Sequence, residues 1–133
     1  MNIQGEKKDL LAEEWIKKAK DDELNASSIL KHRDGTPSGV CLLSHQMAEK
    51  YFKAYLVLKK GSYPKIHFLD KLTEISMKID HSFIELKEEV ALLDPFYTPT
   101  RYPGDYSDFL WDDAEKAFRA TLRIKEFILD KII

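Results

Sequence analysis

A single cysteine, Cys41, occurs in the chain. No disulfide can form within it, which fits a reducing compartment and leaves burial to hold the fold. Cys41 sits in the apolar run Val40-Cys41-Leu42-Leu43 and reads as a core residue. Glycine and proline are scarce, 5 of each in 133 residues, which excludes fibrous and low-complexity architectures. No apolar run approaches the roughly 20 residues of a membrane span. The first residues, Met1-Asn2-Ile3-Gln4-Gly5-Glu6-Lys7-Lys8, have no apolar signal core, so a cytoplasmic protein without membrane contact is expected. An excess of either charge is also missing. With 21 basic and 23 acidic residues the net charge is −2, so any contact with RNA would need a local basic patch. Strand-like alternation and internal repeats are absent too, which leaves helix as the one regular element.

What the chain does have is helical periodicity. The spacing predicts a first helix from about Lys8 to Arg33, with Leu11, Trp15, Ala19, Asp22, Ala26 and Ile29 on one face. It stops at Asp34-Gly35-Thr36-Pro37-Ser38-Gly39, where Ser38 is the expected N-cap of a second helix running to about Lys60. That helix has the broadest apolar stripe, from Val40 to Leu58, and is expected to be central, with Gly61 as its C-terminal stop. Further helices are expected over His67–Ile79, Ser82–Asp94 and Phe109–Ile132, the last with Leu110, Ala114, Ala117, Thr121, Ile124 and Ile128 as its seam. The chain is long enough for one domain, 1–133, with a proper core. Short connections imply an all-α antiparallel bundle of about five helices. Phe52, Tyr55, Phe118 and Phe127 look like more apolar surface than a small bundle covers, and predict a homodimer.

The longest irregular stretch runs from Asp94 through Arg101-Tyr102-Pro103-Gly104-Asp105-Tyr106. Its prolines break any helix, and it gathers an arginine, a carboxylate and tyrosines in a loop carried by rigid elements. The plainer reading makes Arg101 and Asp105 an ion pair with the tyrosines packed around them. A second constellation lies on the central helix. Glu49 and Lys53 form an i, i+4 pair that ordinarily belongs to a solvated face, while His45 and Gln46 stand where the stripe turns apolar and need partners if buried. His67 follows Pro64-Lys65-Ile66 and is positioned to cap a helix or the core. The four histidines, His32, His45, His67 and His81, are scattered with no metal-ligand spacing, and no glycine-rich phosphate loop or nucleophile elbow occurs. Neither a metal nor a cofactor is expected.

Four separated motifs then occur in order: Trp15-x-x-x-Ala19-x-x-Asp22; Cys41-x-x-Ser44-His45-Gln46-x-Ala48-Glu49-Lys50-x-x-Lys53-Ala54-x-Leu56; His67-x-Leu69-x-x-Leu72; and Thr100-Arg101-Tyr102-Pro103. Together they span nearly the whole chain, which resembles the HEPN domain, a helical family of nucleotide-associated proteins. The resemblance implies a bundle of about five helices, usually a homodimer, that often works beside a minimal nucleotidyltransferase as a toxin–antitoxin pair. Many members are metal-independent RNA endonucleases that carry an arginine, a short spacer and a histidine. Here Arg101 is followed by four residues and then Tyr106, and no histidine occurs after His81. A tyrosine hydroxyl titrating near ~10 is a poor proton shuttle at neutral pH. The resemblance therefore implies a non-catalytic or regulatory domain that binds a nucleotide or phosphate-bearing ligand, or partners a nucleotidyltransferase. In that reading Arg101, Tyr102, Asp105, Lys53, Glu49 and His45 form the site. One alternative is an endoribonuclease toxin with an altered Arg-x-x-x-x-Tyr site, Arg101 and Tyr106 being catalytic. Another is a structural interaction module.

Overall fold

The computed structural model describes residues 3–97 and 109–132. Five α-helices follow in order: α1 (Ile3–His32), α2 (Pro37–Lys60), α3 (Leu69–Ile79), α4 (Lys87–Leu93) and α5 (Trp111–Ile132). Short 3-10 turns at His81–Leu86 and Asp94–Phe96 flank α4. No strand occurs among the described residues. The all-α bundle expected from the periodicity is the fold observed.

Helix α2 is central because it is apolar nearly all round, and every residue from Tyr51 to Val57 is buried. Long helices α1 and α5 both pack against it. α1 meets the core through Ala12, Ala19 and Ala26, one alanine per two turns, and these small side chains bring the helices close. The seam thus starts at Ala12, 2% exposed, and not at Leu11, 41% exposed. Those two positions are about 100° apart around a helix, and the heptad of alanines sets the phase. Ion pairs fix the register: Lys50 Nζ lies 2.5 Å from Asp22 on α1, and Lys125 on α5 lies 2.8 Å from Glu23.

Phe83, on the first 3-10 turn, joins the layers. Its ring touches Tyr55 (centroids 4.6 Å apart) and Phe52 (5.8 Å) on α2, and Phe127 (5.1 Å) on α5. Phe52 and Tyr55 are therefore covered inside one chain, and Phe118 and Phe127 pack half-buried against the same core. The apolar surface on which the homodimer expectation rests is largely internal. The exposed leucines are elsewhere, including Leu10, Leu11 and Leu24 on α1.

The helix ends show where local chemistry decides. Thr36, not Ser38, caps α2: its Oγ1 accepts from the Gly39 amide at 3.1 Å, and Pro37 takes the first helical position, where its missing N–H costs nothing. Gly61 ends α2 at φ 81°, with its N–H on the Val57 carbonyl. The helix expected over Ser82–Asp94 is broken into a 3-10 turn, α4 and a second 3-10 turn. Asp80 starts the first turn by accepting from the Ser82 amide (3.0 Å) and hydroxyl (2.6 Å). α5 begins at Trp111, and Leu110 just before it is exposed, outside the seam expected of it. Asp113 Oδ2 accepts the Leu110 amide at 2.8 Å, which fixes that boundary.

Candidate functional site

α3 shows how the site is assembled. Its N-cap position is Phe68, which has no side-chain acceptor for the orphan amides of the first turn. Asp94 supplies one from the far end of α4: Oδ1 accepts the Leu69 amide at 2.7 Å, and Oδ2 the Asp70 amide at 2.9 Å. The helix consequently starts at Leu69. His67, expected as its first residue, lies in the preceding connection.

Asp94 Oδ1 also accepts from Nε2 of the fully buried His45, at 3.3 Å. Burial pushes the Asp94 carboxyl up, but the bonds from His45 and the Leu69 and Asp70 amides outweigh it and hold the group below the ordinary carboxylate value. The other His45 nitrogen, Nδ1, points toward Glu49 with 3.9 Å to Oε1, beyond hydrogen-bond range, and has no partner among the described residues.

Glu49 is the centre of the cluster. Its Oε2 accepts from Lys53 Nζ at 2.7 Å and lies 3.0 Å from His67 Nδ1. Glu49 and Lys53 are both buried, so the i, i+4 pair is an interior bridge and not a solvated face. An unpaired charge there would be costly, which is why the partners come together. The Lys53 ammonium also faces the rings of Trp15 (5.5 Å) and Tyr63 (5.6 Å), themselves in edge contact at 5.0 Å.

Tyr97 closes the cluster. Its ring stacks on His45 (5.2 Å) and on His67 (5.3 Å), both at 25°, and takes the edge of Phe68 at 5.5 Å. The result is graded by depth. His45, Glu49 and Lys53 are inside, while the His67 side chain is 53% exposed and Phe68 is 49% exposed.

Of the residues singled out from sequence, the structure brings His45, Glu49, Lys53 and His67 together. Arg101, Tyr102, Asp105 and Tyr106 lie outside the described residues. Asp94 also belongs to the cluster and was not anticipated there, and Tyr97 enters it by packing on α2 through the His45 ring. Asp94 acts across 24 residues of chain, and no local pattern signals a remote cap. Among the described residues no group of three or more His, Cys, Asp or Glu side chains could hold a metal ion. No described helix is long and apolar enough to cross a membrane. A groove of about 350 Å³ between α3 and α4 is walled by Met77, Ile84, Val90 and Ala91, and none of the cluster residues lines it.

The whole architecture is similar to known structures. TT1696 from Thermus thermophilus superposes with a TM-score of 0.74 at 24% identity, over 90% of this chain and 97% of that one. ST0689, described as an archaeal HEPN homologue, gives a TM-score of 0.69 at 25% identity, over 92% of this chain and 98% of that one. No functionally curated protein matches. The HEPN domain profile matches residues 12–132, which takes in most of α1, the other four helices whole and all the residues of the cluster, and the chain belongs to the HEPN domain family.

Proposed function

We propose that this HEPN domain binds a nucleotide or another phosphate-bearing ligand beside Tyr97, in a regulatory role or as partner to a nucleotidyltransferase in a toxin–antitoxin-like pair. One observation carries the reading. His67 and Phe68 present half-exposed rings on Tyr97, and Arg101 stands four residues further along the chain. An exposed aromatic ring suits a base, and an arginine suits a phosphate, which it can grip through two parallel hydrogen bonds.

In this proposal Arg101 holds the phosphate, and Tyr102, Asp105 and Tyr106 shape the surrounding contact. Lys53, Glu49 and His45 act indirectly. Their polar groups are buried against one another, so they set the His67 and Tyr97 rings instead of touching the ligand. The proposal keeps the homodimer that the family resemblance implies, which light scattering of the purified protein would show as twice the chain mass.

Calorimetric titration with adenine and guanine nucleotides tests the reading. Saturable binding is expected, weakened about 10- to 100-fold in Arg101→Ala, the loss that follows from removing a charge-assisted hydrogen bond of about 1.5–3 kcal/mol. Absence of saturable binding by the unaltered protein would refute it. A second reading, RNA cleavage, is favoured by one observation: an exposed imidazole is held by a buried carboxylate.

A further inference from the structure

We propose that the groove between α3 and α4 is a docking surface for an amphipathic helix of a protein partner, one whose apolar stripe has basic residues along one flank and acidic residues along the other. The surface is separate from the ring cluster beside Tyr97, and the proposal goes beyond the phosphate-binding reading without resting on it.

The two walls form a hairpin. The first 3-10 turn follows α3 directly, and Asp94, just past α4, caps the start of α3. α3 and α4 therefore run antiparallel, with the groove of about 350 Å³ between them. Thr73 and Val90, both buried, form its floor. Met77, Ile84 and Ala91 stay at least partly open to solvent, Ile84 at 44%. The Thr73 hydroxyl donates to the Leu69 carbonyl at 2.6 Å, so its proton is already used, and the rest of the lining between the rims is apolar. Such a surface offers little to a polar ligand and favours burial of apolar side chains. Met77 adds an adaptable wall, since a methionine side chain can reshape itself around what enters.

Length and charge select the occupant. From Asp70 to Met77 the groove follows two turns of α3, about 10 Å. Apolar residues at i, i+3 or i+4, and i+7 of a partner helix span the same distance. An extended peptide is unsuited. Both walls are helices that use their amides and carbonyls internally, so its backbone polar groups would lie against apolar side chains without partners, whereas a helix brings its own hydrogen bonds. The walls also differ in charge. α3 contributes Asp70 and Glu74 to the lining, and α4 contributes Lys87. Glu74 meets Lys71 at 3.6 Å in an exposed pair, a weak contact that a partner's cation can replace. Lys87 has no ion-pair partner among the described residues. A helix with Lys or Arg toward α3 and Asp or Glu toward α4 meets opposite charge on both sides. The same helix laid in the opposite direction meets like charge on both, so the groove sets the direction of its partner as well as its apolar pattern.

The probe is a fluorescent, alanine-based helical peptide of about 15 residues, with leucines as its stripe, lysines on one flank and glutamates on the other. Two control peptides keep the stripe and carry lysine on both flanks or glutamate on both. Titrated with the purified protein and followed by anisotropy, the mixed peptide should bind saturably, about 3- to 10-fold more tightly than either control. Ile84→Glu should weaken it at least about 10-fold. Ile84 is 44% exposed, so this variant should still fold, as circular dichroism would verify. Lys87→Glu makes both walls acidic and should shift the preference to the peptide with lysine on both flanks, a change of partner that mere destabilisation would not give. Absence of saturable binding by the unaltered protein overturns the proposal. So does equal binding by Ile84→Glu, which would put the peptide elsewhere, or an unchanged preference in Lys87→Glu. Loss of self-association in Ile84→Glu would place a second copy of this chain in the groove and overturn its assignment to a partner.

Discussion

Glu49 is the residue on which the cluster depends. It is buried with a lysine and an imidazole on one carboxylate oxygen, so its removal strands an ammonium among Trp15, Tyr63 and apolar neighbours. Breaking one half of a buried ion pair costs about 3–5 kcal/mol, more than the pair itself contributes. Glu49→Ala should therefore lower the unfolding free energy by about that amount in urea titration, and Glu49→Ala combined with Lys53→Met should recover most of it. Additive losses in the double variant would show that the bridge is not what stabilises this region. Sequence alone exposes the i, i+4 spacing of these residues, but not that the helix face they occupy is interior. That depends on α2 being covered by α1 on one side and by the α2–α3 connection on the other. His67 was likewise legible as a residue of interest, while its partner was not, because the pairing bridges 18 positions.

At the scale of elements, the helices themselves were readable and their ends were only partly so. The alanines at 12, 19 and 26, the Gly61 stop and the apolar run of α2 all act locally, through side-chain size and backbone freedom. The start of α3 does not. It is set by Asp94, which holds the first amides of α3 with one carboxylate and His45 with the same group. Asp94→Ala should destabilise the fold by at least about 1–2 kcal/mol, the range for loss of a helix cap. Amide exchange at Leu69 and Asp70 should quicken relative to the rest of α3, and unchanged exchange at those amides would contradict the cap. The broken α4 follows the same logic. Asp80 accepts the Ser82 amide and opens the 3-10 turn that precedes α4, while the Asp94 carboxylate just after α4 is committed to the first amides of α3.

For the whole molecule, charge ties the end of α5 to the turn before α4, and this makes stability depend on pH. Asp80 is held down to about 2 from 3.8 by the Ser82 hydroxyl, by Lys131 of α5 and by the Ser82 amide. Asp94 is held below its ordinary value as well. A carboxyl that is more acidic folded than unfolded binds fewer protons in the folded state. Its stabilisation is complete above the unfolded value near 3.8, and is lost as pH falls from there toward 2. Thermal unfolding should accordingly show a plateau above about pH 5 and a decline below about pH 4, less steep in Asp80→Asn. A decline beginning near neutrality would assign it to other groups. Family membership and fold rest on features spread over the whole chain, which is why they were visible early. The cluster converges from α2, the α2–α3 connection and the turn after α4, and only three-dimensional packing brings those segments together.

In the proposed function the exposed rings beside Tyr97 receive a phosphate-bearing ligand. The most direct measurement is a nucleotide titration of isotope-labelled protein followed by NMR. Saturable shifts are expected at the ring protons of His67, Phe68 and Tyr97, with the α3–α4 groove residues Met77 and Ile84 unmoved. Shifts confined to that groove, or none at nucleotide concentrations that saturate any specific site, would contradict it.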